Sequence, residues 1–240
     1  MKVLKFGGTS LGSPERFKSV AHLVSSTSEP KLVVLSAISG TTNTLVEIGS
    51  ELLGREADNA MQLSLQLKTH YDEFIDQLFQ QGTARSLAQE FIDKTFQQIY
   101  ALTSTPFGKS REKELLAQGE IMSTTLFHLY LNSTGINAYL ISALDLIKLN
   151  DVGEPDLSDI GAQIKRQIPV VEEGQIYITQ GFICLNHEGD IDNLKRGGSD
   201  YSASLLGAAA GADEIQIWTD IDGMHNNDPR IVKHTYPCLL

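Results

Sequence analysis

Short apolar runs alternate along this chain with stretches in which apolar residues recur every three to four positions. Residues 3–6 are a short apolar run that ends in glycines, and they read as a first strand. Ser13-Pro14-Glu15 reads as N-cap, N1 and N2 of a helix, and Phe17, Val20, Ala21 and Val24 give that helix one apolar face. Leu32-Val33-Val34-Leu35 is continuously apolar and rich in β-branched residues, as in a strand covered on both faces of a parallel sheet. It opens into the small-residue loop Ser36-Ala37-Ile38-Ser39-Gly40-Thr41-Thr42, after which a helix is expected to bury Leu45, Val46, Leu52 and Leu53.

The character changes over residues 58–102. Leu67, Tyr71, Phe74, Ile75 and Leu78 repeat at helical spacing, and after Gly82 so do Leu87, Phe91, Ile92 and Ile99. That pattern predicts an inserted helical hairpin whose aromatics belong to a core. A further helix carries Leu115, Leu116, Ile121, Met122, Leu126 and Leu129. Strands are predicted at 138–141, 175–179 and 215–218, with helices near 160–168 and 199–210. Strands alternating with helices mean βαβ units, so the expected fold is α/β: a three-layer α/β/α sandwich around a mostly parallel sheet.

At 240 residues the chain has length for one large α/β domain or two small ones. The formal net charge of −11 argues against nucleic acid or an anionic membrane as partner. It also means that an anionic substrate must be held by a few locally placed groups. The sequence has no apolar run long enough to span a bilayer. Cys184 and Cys238 form no CxxC pair and read as idle thiols suited to a reducing, cytoplasmic setting.

Candidate chemistry collects where strands end. Residues 3–6 run into Gly7-Gly8-Thr9-Ser10, and 32–35 run into Ser36 and Gly40-Thr41-Thr42. Residues 176–179 run into Gln180-Gly181-Phe182, and 215–218 into Thr219-Asp220. In an open parallel sheet these ends share one rim, where ligands bind. GxxxxGK[ST] and GxGxxG are both absent, which excludes a P-loop and the dinucleotide fingerprint. Lys5 precedes the Gly7-Gly8 exit; it is placed either to reach a phosphate or to be a solvated strand lysine. Lys195-Arg196-Gly197-Gly198-Ser199-Asp200-Tyr201 is the densest cluster, with two glycines between a basic pair and a helix start, a setting for an anion. Asp200 there serves either the chemistry or the helix dipole. Asp220, Asp222 and Asp228 lack the EF-hand spacing, the histidines form no HExxH or HxxxH pair, and no metal site held by the protein alone is expected.

Lys5-Phe6-Gly7-Gly8-Thr9-Ser10, Leu35-Ser36-Ala37 with Gly40, Gln118-Gly119-Glu120, Arg196-Gly197-Gly198-Ser199-Asp200-Tyr201, and Trp218-Thr219-Asp220 with Asp228-Pro229-Arg230 follow one another in the order seen in aspartate kinases of the amino-acid-kinase family, which the chain resembles from residue 2 to about 230. The resemblance implies phosphoryl transfer from ATP with Mg2+ to the side-chain carboxylate of L-aspartate, the first step of lysine, threonine and methionine biosynthesis. It implies Lys5 and Asp200 as catalytic residues, and Ser36, Thr42, Glu120 and Arg196 as aspartate contacts. Lys5, Gly7, Gly8, Thr219, Asp220, His225 and Arg230 are the implied nucleotide contacts. An aspartate lobe over 1–170 and the start of a nucleotide lobe over 171–240 are expected from it, as is a homo-oligomer in the full-length protein.

Two positions depart from the family pattern: Lys195 stands where glycine is common before the arginine, and His225 where some members have tyrosine. Aspartate kinases continue past the point matching Leu240 with a further ATP-site segment and regulatory ACT domains. A catalytic region cut short is therefore the expectation. The rival readings are another kinase of the family and a unit that binds ligands without turning them over.

Overall fold

The computed structural model describes residues 1–194, 197–219, 226, 227, 231, 232 and 234–236. In chain order the strands are β1 (Lys2–Phe6), β2 (Lys31–Leu35), β3 (Ala138–Leu140), β4 (Ile176–Gln180), β5 (Ile183–Leu185), β6 (Ile191–Asn193) and β7 (Glu214–Trp218). The helices are α1 (Pro14–Ser25), α2 (Thr41–Leu53), α3 (Ala57–Leu78), α4 (Thr83–Leu102), α5 (Lys109–Ser133), α6 (Leu157–Gln167) and α7 (Gly198–Ala210).

Among the described residues, five strands form one sheet in the order β3-β4-β2-β1-β7, every neighbouring pair parallel. The register aligns Phe6 with Leu35 and with Trp218, and Leu35 with Gln180. Four strands therefore end level with one another, and their exit loops share a rim. Alternation along each strand sorts side chains between two cores. Leu4, Phe6, Val33, Leu35 and Ile178 join the larger core with α1 to α5. Val3, Leu32, Val34 and Tyr177 join the second core, with Ile160 and Ile164 of α6 and Leu205 and Leu206 of α7. This is the expected three-layer α/β/α sandwich. β4 follows the lobe boundary expected near Val171 and lies between β2 and β3.

Helix α1 begins as its sequence dictates: the Ser13 hydroxyl accepts from the Arg16 N–H, and Pro14 opens the helix. Phe17, on its buried face, meets Phe74 of α3 and Phe127 of α5 edge-on, at ring centroid distances of 5.3 and 5.1 Å. The inserted hairpin is α3 and α4, packed on the same core.

Three details differ from the sequence reading. In α2 the buried face is Leu45, Ile48, Gly49 and Leu52, whereas Val46 and Leu53 are exposed. Each exposed residue neighbours a buried leucine, and helical geometry admits only one of such a pair to the core. Likewise Leu87 is exposed, and α4 turns Ala88, Ile92, Phe96 and Ile99 inward. The small antiparallel hairpin of β5 and β6 was not anticipated; Asn186 and Asp190 close its turn. Cys184, on β5, is a buried free thiol, and Cys238 lies outside the described residues.

Candidate active site

The level strand ends open onto a cleft of about 420 Å3. Lys5, Gly8, Ser36, Thr42, Glu120 and Asp200, far apart in sequence, all line it. Each gets there for a traceable reason. Lys5 shares a strand face with Val3, the face covered by α7, and Asp200 sits in the first turn of α7. The Lys5 Nζ meets Asp200 Oδ1 at 2.7 Å, with Lys5 nearly covered and Asp200 half-exposed. Lys5 is thus no solvated strand lysine, and Asp200 has a partner beyond the helix dipole. Gly7 lies beneath the Lys5 ammonium.

Among the described residues, two helices begin at the cleft without a side-chain cap. α2 starts after Gly40 and α7 after Gly197, both glycines at positive φ (87° and 79°). Uncapped first turns present free N–H groups and the positive end of the helix dipole. A chain of net charge −11 thereby acquires a local place for anions without many cations.

Glu120 has the most unusual environment. Gly119 lets α5 pass close under the β2 loop, since a Cβ there would stand 3.0 Å from that of Ala37. Glu120 is consequently 3 % exposed. Its Oε1 accepts from the Ala37 N–H at 3.3 Å, and Oε2 has no hydrogen-bond partner among the described residues. Burial pushes the carboxyl up to about 8, only partly countered by the Ala37 N–H. A buried carboxyl with one free oxygen on a cleft wall is equipped to receive a cationic group.

Buried hydrogen bonds that sequence reasoning missed hold the cleft loops. Ser123, one turn after Glu120, donates to the Ser36 carbonyl at 2.7 Å. Gln180 spans from Thr124 to the N–H of Ala143 (2.8 Å each) and ties the end of β4 to α5. Tyr71 of α3, fully buried, shares a hydrogen bond of 3.1 Å with Thr41, the residue before Thr42. The available sequence signals were the strand-exit position of Gln180 and the recurrence of Ser123 on the helix face of Glu120. Tyr71→Phe is expected to strand the Thr41 hydroxyl and lower stability by about 1 kcal/mol; urea unfolding of the two proteins at one pH measures this, and an unchanged midpoint would mean the bond contributes nothing net.

Thr219 is not brought into this cleft. It flanks a separate hollow of about 200 Å3 beside Arg16 and the stacked Phe6 and Trp218 rings. Arg196, Asp220, His225 and Arg230, with Lys195, Asp222 and Asp228, lie outside the described residues. Among the described residues no group of three or more His, Cys, Asp or Glu side chains could hold a metal ion.

A lysine–carboxylate pair beside two helix N-termini, at the carboxyl rim of a parallel sheet, is equipped to bind an anionic group. Residues 1–237 match the profile of the amino acid kinase family, and the chain belongs to that family. It is similar to lysine-sensitive aspartokinase 3 of Escherichia coli, with 32 % identity over 96 % of this chain and 51 % of that protein. It is also similar to bifunctional aspartokinase/homoserine dehydrogenase 2 of Escherichia coli, at 30 % identity over 98 % of this chain and 29 % of that protein. Among solved structures, E. coli aspartokinase III in complex with aspartate and ADP superposes with a TM-score of 0.79 at 29 % identity, covering 99 % of this chain and 53 % of the other. The chain therefore spans about half or less of the length of these relatives.

Proposed function

We propose that this chain carries the phosphoryl-transfer site of an aspartate kinase, which converts ATP and L-aspartate to ADP and 4-phospho-L-aspartate. The observation that carries the reading is the cleft itself, lined by a paired Lys5 and Asp200 and by a buried Glu120 whose Oε2 has no partner among the described residues. The substrate ammonium pairs with Glu120, while Ser36, Thr42 and Arg196 hold its carboxylates. Lys5 meets the γ-phosphoryl group. Gly7, Gly8, Thr219, Asp220, His225 and Arg230 serve the nucleotide, whose lobe starts within residues 171–240. Mg2+ would be carried in on the nucleotide phosphates, Asp200 would be the carboxylate available to hold it, and it would neutralise phosphate charge.

The chemistry needs no base. The β-carboxylate of aspartate is already ionised at neutral pH, and one of its oxygens attacks the γ-phosphorus. The bond from that phosphorus to the β,γ-bridging oxygen breaks, and its electron pair leaves with ADP. The chain's residues position the two substrates in line and neutralise charge, which supplies most of the rate in such transfers.

The test is coupled ADP release with aspartate, glutamate or N-acetyl-aspartate as acceptor. Aspartate alone should support release, because N-acetylation removes the ammonium that Glu120 pairs with. Absence of both aspartate-dependent release and aspartate binding would defeat the reading. Binding without turnover would support the alternative of a ligand-binding unit. Arg196→Lys keeps the charge and loses the planar fork, so aspartate affinity should fall ~10-fold or more. Titration calorimetry with each substrate would detect this; a loss confined to ATP would move Arg196 to the nucleotide side.

A further inference from the structure

We propose that Ser202 is a positioning residue for phosphoryl transfer: its hydroxyl clamps a strained turn at Phe182 to the first turn of α7, and so sets Asp200 against Lys5. The inference rests on the function proposed above for the cleft.

Ser202 is completely buried, one turn into α7. Its hydroxyl donates to the Gly198 carbonyl at 2.7 Å, an ordinary bond for a helical serine. The oxygen's remaining capacity is not ordinary in its use, for it accepts the Phe182 N–H at 2.9 Å, across from the end of β4. One small group thus joins two loops that both line the cleft.

Phe182 needs holding. Its φ is +67°, in the region that L side chains other than Asn and Asp seldom adopt. The Ile183 N–H donates to the Gly181 carbonyl at 2.7 Å, which closes a three-residue turn of the rarer, strained hand. The Phe182 carbonyl is engaged as well, by the Leu194 N–H at 2.7 Å. Strain of this kind persists only where the surroundings over-determine it, and it gathers at functional sites.

The turn and the helix start are packed with no room to slide. A Cβ on Gly181 would lie 2.6 Å from that of Ser199, and one on Gly198 would lie 2.8 Å from the Phe182 ring. Asp200 is the next residue after Ser199, and its carboxylate reaches Lys5 at 2.7 Å. A change in the Phe182 turn therefore moves the start of α7, and Asp200 with it. Deleting the Ser202 oxygen leaves the strained N–H without its acceptor and lets the turn relax.

The test is a kinetic double-mutant cycle on the full chain, using Ser202→Ala, Phe182→Gly and the pair. Ser202→Ala should lower kcat ~10-fold or more with KM values for ATP and aspartate within ~3-fold, as for a misplaced catalytic group. Glycine holds positive φ without strain, so in the Phe182→Gly background the same Ser202→Ala change should cost under ~3-fold. Ser202→Thr keeps the hydroxyl and should retain kcat within ~3-fold. A Ser202→Ala protein that melts lower but keeps kcat would overturn the proposal. So would an equal kcat loss in both backgrounds. If the alanine variant does not fold, Ser202→Cys, a weak acceptor of similar size, takes its place with the same outcomes expected. Should the wild-type chain show no aspartate-dependent ADP release, the function reading is judged separately, by aspartate binding as above. The crystal structure of Ser202→Ala then decides the clamp: a Lys5–Asp200 separation beyond about 4 Å supports it, and an unmoved pair overturns it.

Discussion

Glu120→Gln is expected to leave the protein more stable than wild type at pH 9 by on the order of 4 kcal/mol, while abolishing aspartate binding. The cause is the buried carboxyl, which burial pushes from 4.5 up to about 8. The folded protein then binds a proton that the unfolded chain has released across that window. Stability from this group is fully present below pH 4.5 and is lost as pH rises through about 8. A shift of this size corresponds to roughly 1.4 kcal/mol per pH unit, before relaxation around the charge. Glutamine has no proton to lose and keeps an acceptor for the Ala37 N–H, so its stability lacks the decline. Urea unfolding of both proteins at pH 5 and pH 9 isolates the effect, because other titrating groups cancel in the difference. An equal difference at the two pH values would show that Glu120 ionises normally. Aspartate binding should be lost in the same variant, since a neutral amide cannot form an ion pair with the ligand ammonium. In the wild type, the arriving ammonium favours the ionised carboxylate, so binding near neutral pH should release a proton; calorimetry in two buffers of different ionisation enthalpy would detect it.

Lys5→Ala should lower kcat by roughly 10²-fold or more, with a smaller change in KM for ATP. The ammonium is nearly covered and anchored to Asp200 at 2.7 Å, so it is already oriented before substrates arrive. A pre-oriented cation gains most from charge that develops during transfer. Initial-rate kinetics across ATP concentrations separate the alternatives. A raised KM with kcat intact would make Lys5 a binding residue only.

The central strands were legible because burial on both faces leaves a plain signature: Leu32-Val33-Val34-Leu35 admits no polar residue. The small β5 and β6 hairpin gave no comparable signal, as three residues per strand fall below the length at which a period can be recognised. In α2 the adjacent pairs Leu45-Val46 and Leu52-Leu53 left the buried face ambiguous by one position, and Ile48 with Gly49 decides it. In the cleft, Lys5, Ser36, Thr42, Glu120 and Asp200 were found because their motifs sit at strand exits or match family patterns, and parallel pairing gathers the exits. Tyr71 and Ser202 were not, and Gln180 was placed only at a strand exit, without its partners. They act through single buried hydrogen bonds between elements remote in sequence, and such a bond leaves no spacing to read.

The bond from Tyr71 to Thr41 also bears on modularity. In sequence, the α3 and α4 hairpin looks like an appendage that could be trimmed from a minimal kinase unit. Yet α3 contributes Phe74 against Phe17, and Ile75 to the same core, as well as the phenol that braces the residue next to Thr42. Excising it would uncover one side of the larger core and release the N-terminus of α2 in a single cut. Truncation libraries should therefore yield no folded product lacking residues 57–102, whereas length changes at the Gly82 bend between the two helices should be borne easily.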